Sequence, residues 1–83
     1  MKWISVEEKM PEKSGNVLVC RMYGHYGFIS TAFYSARHQV FSCLDYEKED
    51  EVPDDTKAYS DRVAFWAQFP KGPKGVTVYA GFC

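Results

Sequence analysis

The chain has 83 residues, a net charge of −1 and a 17% share of aromatic side chains. That length allows one domain, which buries only about 60% of the surface its unfolded chain exposes. A hydrophobic fraction of 46% excludes general disorder. No apolar run approaches the roughly 20 residues of a membrane-spanning helix, so no membrane partner is expected.

The small net charge hides segregation. Residues 45–55, "DYEKEDEVPDD", hold seven acids and one Lys, while the rest of the chain holds nine Lys or Arg against four acids, a net of +5. No polybasic cluster of the kind that binds nucleic acid occurs. The opening "MKWISVEEKMPEK" carries acids where a secretory leader would be apolar. Cys20, Cys43 and Cys83 are odd in number and widely spread, unlike a disulfide framework. Both observations point to the cytoplasm.

The elements follow in chain order. "SVEE" reads as a capping box, in which Ser5 and Glu8 satisfy each other's amides. Pro11 and "EKSG" limit any helix there to one or two turns. "NVLVCRMY" (16–23) is a strand by its β-branched and aromatic content. "GHYG" (24–27) is a turn with glycine at both ends, and "FISTAFYS" (28–35) completes a hairpin. "ARHQ" is a second turn and "VFSCL" (40–44) a third strand. The seventeen residues Asp45–Asp61 read as a long loop, with Pro53 against a simple helix. "RVAFWAQF" (62–69) is the fourth strand. Strict alternation puts Val63, Phe65, Ala67 and Phe69 on one face and Trp66 on the other, so Trp66 is turned out of the core if the first face is the core face. "VTVYA" supplies a possible fifth strand. The expected fold is a single α+β, mostly β domain over residues 1–83. It is an antiparallel meander of four or five strands, curled into a half-barrel, with a short N-terminal helix or turn.

Both ends of the chain carry a pattern. "KWISVEEKMPEKSGNVLV" resembles the opening of the family catalogued as domain of unknown function 551. "VAFWAQFPKGP" is similar to its closing segment, usually Val-Thr-His-Trp-Met-Pro-Leu-Pro followed by another Pro. The matching positions are Trp3, Ile4, Ser5, Pro11, Glu12, Gly15, Val17, Val63, Trp66, Pro70 and Pro73, so the resemblance covers about residues 2–73. Residues 74–83 form an extension beyond it. The family's His is Phe65 here, and its Met-Pro is Ala67-Gln68, so nothing assigned to that His carries over. The resemblance implies a phage or prophage type of protein without an established activity.

The candidate chemistries are sparse. Cys20, Cys43, Cys83, His25 and His38 lack the close ligand pairs of structural zinc sites, and no metal or cofactor is expected. Cys83 reads as an exposed thiol. His25 and His38 fall at opposite ends of one strand and cannot share a catalytic site. No G-x-S-x-G, phosphate loop or H-E-x-x-H is present, so the chain is read as no enzyme. Asp45, Glu47 and Glu49 imitate the start of a calcium loop, but Asp50 and Thr56 stand where Gly and Glu are required.

Two clusters remain as interaction candidates. The acids Asp45, Glu47, Glu49, Asp50, Glu51, Asp54 and Asp55 either keep a loop solvated or imitate nucleic-acid phosphates toward a host protein. Tyr23, Tyr26, Phe28 and Tyr34, with Arg21 and Arg37, could stack on bases or fill a small curved sheet. Trp66 either packs with Trp3 and the Pro turns, closing the two ends of the chain on each other, or lies at an interface. The expected role is an accessory protein acting by protein–protein contacts with an unidentified partner, a homodimer being one form of contact. A small nucleic-acid-binding module, or the acidic phosphate mimic, is the alternative.

Overall fold

The computed structural model describes residues 2–76. Its strands are β1 (Ile4–Ser5), β2 (Gly15–Tyr23), β3 (Tyr26–Ser35), β4 (Val40–Ser42) and β5 (Val63–Gln68), with one helix, α1 (Asp54–Asp61). They form one antiparallel sheet in the order β1-β5-β2-β3-β4. The sheet stays open, because β1 and β4 lie at opposite edges. The expected meander of four or five strands is therefore corrected in its topology. After β4 the chain crosses back through α1, and β5 inserts between β1 and β2.

The physical reason is in "VAFWA". Its residues are apolar without a gap, and so apolar a strand suits an interior position with a neighbour on each side rather than an open edge. Trp66 and Ala67 are consecutive yet both buried. The fifth strand expected from "VTVYA" falls almost wholly outside the described residues; the fifth strand seen is β1, at the other end of the chain.

The β2–β3 hairpin turns on Gly24-His25 alone. Gly24 has φ 64°, the left-handed region required at the first central position of a type II′ turn. Pairing consequently runs to Tyr23–Tyr26 at the tip, with Met22 opposite Gly27, so the turn is two residues shorter than "GHYG" suggests.

At the N-terminus no helix forms. Ser5 pairs with Phe65 as strand, and its carbonyl then accepts the Glu8 and Lys9 amides in a single turn. Its hydroxyl accepts the Glu7 amide instead of the Glu8 amide. The helix lies instead at 54–61, in the segment read as a loop. Pro53 starts it rather than blocking it: the carbonyl of Pro53 accepts the Thr56 and Lys57 amides. Proline is tolerated at a helix start, where its missing N–H would have had no partner.

The core comprises Val17, Val19, Ala32, Tyr34, Phe41, Val63 and Trp66, with Ile4, Val6, Met10, Ala36 and Tyr59 packed on its margin. Strand register explains Trp66. Cys20 faces Phe65 but Arg21 faces Val63, so Ala64 is an extra residue in β5. Such a bulge shifts the alternation by one residue. Val63 and Trp66 then share the core face, three residues apart, while Phe65 turns out and is 38% exposed. Strict alternation groups Val63 with Phe65 and sets Trp66 opposite them; the bulge instead groups Val63 with Trp66 and sets Phe65 opposite.

Candidate interaction surface

Trp66 is 2% exposed and sits opposite Ile4 on β1 and Val19 on β2. Its indole N–H donates to the Lys9 carbonyl at 2.7 Å. The two ends of the chain do close on each other, but through Ile4, Lys9 and the buried Pro11. Trp3 precedes Ile4, points to the other face by strand alternation, and is half-buried. Trp66 is thus removed from the interaction candidates.

Tyr34 is removed as well. It is 2% exposed and stacks obliquely on Phe41, with ring centroids 5.0 Å apart. Burial, and then the charge of Glu47, raise its phenol pKa above the ordinary value.

The acidic segment is built rather than loose. Asp45 accepts the Glu47 amide through its side chain at 2.9 Å. The Glu47 carboxylate accepts from the Ser35 hydroxyl and from the Arg37 amide. Arg37 donates to the Glu47 carbonyl at 3.2 Å and pairs with Asp50 at 3.4 Å. His38 Nε2 lies 2.7 Å from the Glu49 carbonyl. The Ser35 hydroxyl holds the Glu47 pKa below its ordinary value. Desolvation opposes this; Ser14, the Arg37 amide and the charge of His38 add to it. Glu47 thereby latches residues 45–50 onto the β3–β4 turn. Glu51, Asp54 and Asp55 are exposed, and Lys57 approaches Asp54 at 3.9 Å. Arg37, grouped by sequence with the stacking rings, serves this latch at the opposite end of β3.

What remains together is the end of the β2–β3 hairpin. β5 accompanies β2 only to Arg21, and β4 pairs with β3 only at Phe33–Ser35. The hairpin therefore runs past both neighbours as a two-stranded arm. Pairing of Arg21 with Phe28 and of Tyr23 with Tyr26 places all four side chains on one face. Tyr26 is 75% exposed and Phe28 57%. The Tyr23 and Phe28 rings meet edge to face at 5.5 Å.

Arg62, which sequence reading passed over, completes the cluster. It follows α1, its amide closing the helix on Tyr59. Its carbonyl accepts the Met22 amide at 2.9 Å, and its guanidinium lies 4.6 Å from the Tyr23 ring centre. The Arg21 guanidinium sits 4.7 Å from the Tyr59 ring and donates to the Tyr23 hydroxyl at 3.1 Å. Among the described residues, neither arginine has a carboxylate within ion-pair distance. Arg21 Nε and the Tyr59 hydroxyl are buried without hydrogen-bond partners. The only hint of Arg62 in sequence is its place at the head of the aromatic strand; its approach to Tyr23, 39 positions earlier, is tertiary.

A concavity of about 350 Å³ lies between the N-terminal turn and β2, lined by Lys9, Glu12, Lys13, Asn16, Trp66 and Gln68 among others. Lys9 and Glu12 neutralise each other there at 3.2 Å. Cys20 is a free, half-buried thiol on the face away from the core. Cys83 lies outside the described residues, as do residues 77–82 of the C-terminal extension. No described helix is long and apolar enough to cross a membrane.

An open five-stranded antiparallel sheet with one short helix and a projecting aromatic–arginine arm defines a small, mostly β domain. The chain belongs to the family described as "Protein of unknown function (DUF551)", which matches residues 2–74. No curated protein and no solved structure matches it significantly.

Proposed function

We propose that the protein is a non-catalytic accessory module that works by binding another protein through the β2–β3 arm. The phage or prophage setting implied by the family resemblance, and a cytoplasmic location, belong to this reading. The observation that carries it is the exposure of Tyr26 and Phe28, at 75% and 57%, beside Arg21 and Arg62. A two-stranded ribbon is marginal by itself, and rings left largely in water on one contribute little to the fold. Aromatic residues and arginine are the types that dominate the centres of protein interfaces.

The test is photocrosslinking in the host cell from a photoreactive phenylalanine analogue at position 28. A discrete protein adduct, lost in a Tyr26→Ser background, is expected. Adducts that are absent, or unchanged by Tyr26→Ser, would refute the reading. The nucleic-acid alternative draws on the same rings and arginines, and predicts binding to an oligonucleotide that weakens steeply with salt.

A further inference from the structure

We propose that the arm's partner presents a short acidic segment of polypeptide, whose carboxylates engage Arg21 and Arg62 while an apolar or aromatic side chain covers Tyr26 and Phe28. The inference rests on the protein-binding reading above and adds the partner's chemistry.

It starts from charge. Of the ion pairs formed by described residues, Arg37 has Asp50, Lys9 has Glu12 and Lys57 has Asp54. Arg21 and Arg62 have only aromatic rings and neutral oxygens. Arg21 is half-buried, and the guanidinium it packs on Tyr59 includes an Nε without a partner. A partly desolvated cation without a counter-ion is costly, and a carboxylate offsets that cost. The guanidinium fork matches a carboxylate through two parallel hydrogen bonds. The rings hold both guanidiniums in position by cation–π contact, so little rotamer freedom is lost when a carboxylate arrives.

The same inventory argues for a peptide over a nucleic acid. A polyanion strand needs a row of cations along its backbone, and the arm offers two. Asp61 immediately precedes Arg62 and is exposed, as are Asp54 and Asp55 on the same helix. These acids would repel phosphates running past Arg62, whereas a segment with a few carboxylates reaches the arginines and stops short of α1.

The experiment is fluorescence anisotropy at 50 mM salt with the full chain. The probes are a labelled ten-residue peptide alternating Glu with Leu and Tyr, its counterpart with Gln for Glu, and a twenty-nucleotide oligo-dT. Saturable binding of the Glu peptide is expected. The Gln peptide and the Arg62→Gln variant should each weaken it about tenfold or more, as loss of a charge-assisted hydrogen bond implies. Arg62 is exposed and its substitution leaves the core untouched, whereas Arg21 is half-buried; Phe28→Ser serves as a second variant with the charges intact. The inference is overturned by no binding of the Glu peptide, by equal binding of the Gln peptide, or by tighter binding of oligo-dT. It is also overturned by sedimentation showing the arm occupied by a second copy of the chain, with Arg62→Gln dissociating the dimer. A protein adduct from position 28 together with silence toward the Glu peptide removes this inference alone; absence of the adduct removes the protein-binding reading.

Discussion

Two aromatic regions of the same sheet meet opposite fates. At the closure between the chain ends, Trp66 lies under β1 with its N–H bonded to Lys9, and is 2% exposed. At the arm, Tyr26 and Phe28 project from strands as regular as β5 and are mostly in water. Side-chain type does not separate them, since all are large rings on alternating strands. What separates them is the number of neighbouring strands. Trp66 has one on each side, whereas the arm has outrun both β5 and β4. Aromatic content therefore reads as core where a sheet is wide and as contact surface where it narrows to two strands.

The sharpest way to break this contrast is Trp66→Ala. It removes a fully packed ring and leaves the Lys9 carbonyl without its donor, and should destabilise by about 3–5 kcal/mol. For a domain of this size that moves Tm by well over 10 °C. Calorimetry or thermal circular dichroism checks it, and an unchanged Tm would mean the closure contributes nothing. Trp66→Phe keeps most of the volume and separates the hydrogen bond from the packing.

Gly24→Ala tests the turn that makes the arm. An alanine at φ 64° should cost about 1 kcal/mol, since a Cβ meets backbone strain there. Urea unfolding measures it.

The latch between the two regions is tested by pH. The folded-state pKa of Glu47 is lowered, so its contribution is fully present above the unfolded value, near 4.5. It fades as pH falls through the lowered folded value. Thermal scans should therefore show wild type losing stability toward Glu47→Gln on acidification below about 4.5. Parallel curves for the two proteins would show that the carboxylate is not latched. Limited proteolysis complements this. Residues 45–50 should resist cleavage in wild type and become the first site cut in Glu47→Gln.

The smallest stability effect is expected at the arm. Tyr26→Ser and Phe28→Ser should each leave the stability within about 0.5 kcal/mol of wild type, because exposed rings contribute little to folding. Adduct formation from position 28 in Tyr26→Ser, or peptide binding in Phe28→Ser, should nonetheless be lost. Destabilisation comparable with Trp66→Ala would reassign the arm to the fold.

Much of the architecture was legible in local pattern. β2 and β3 announce themselves by β-branched and aromatic runs around a glycine turn, and the matching ends of the chain correctly place β1 near β5. Two local signals misled. Pro53 reads as a helix breaker until its position at a helix start is known, since the same residue serves both roles. The acids at 45–55 read as a solvated loop because charge in sequence says nothing about a receptor such as Ser35, ten or more positions earlier. Of the candidate surface, Arg21, Tyr23 and Phe28 were visible on a strand pair, whereas Tyr26 read as part of the turn and joins β3 only in the structure. Tyr34 shares their face by alternation, and only the cover of β4 buries it.

By itself the sequence determined the class: one small antiparallel domain, aromatic-rich, belonging to the family whose terminal Trp-Ile-Ser and Trp–Pro patterns it carries. These properties are local, set by side-chain period, turn chemistry and composition. The tertiary structure alone decided the direction of Trp66, because one extra residue in β5 shifts every side chain after it to the other face. It also decided the membership of the arm, because Arg62 meets Tyr23 only after the chain has crossed the sheet. Both depend on register between segments about forty or more residues apart, such as Val19 and Trp66, which no local pattern encodes.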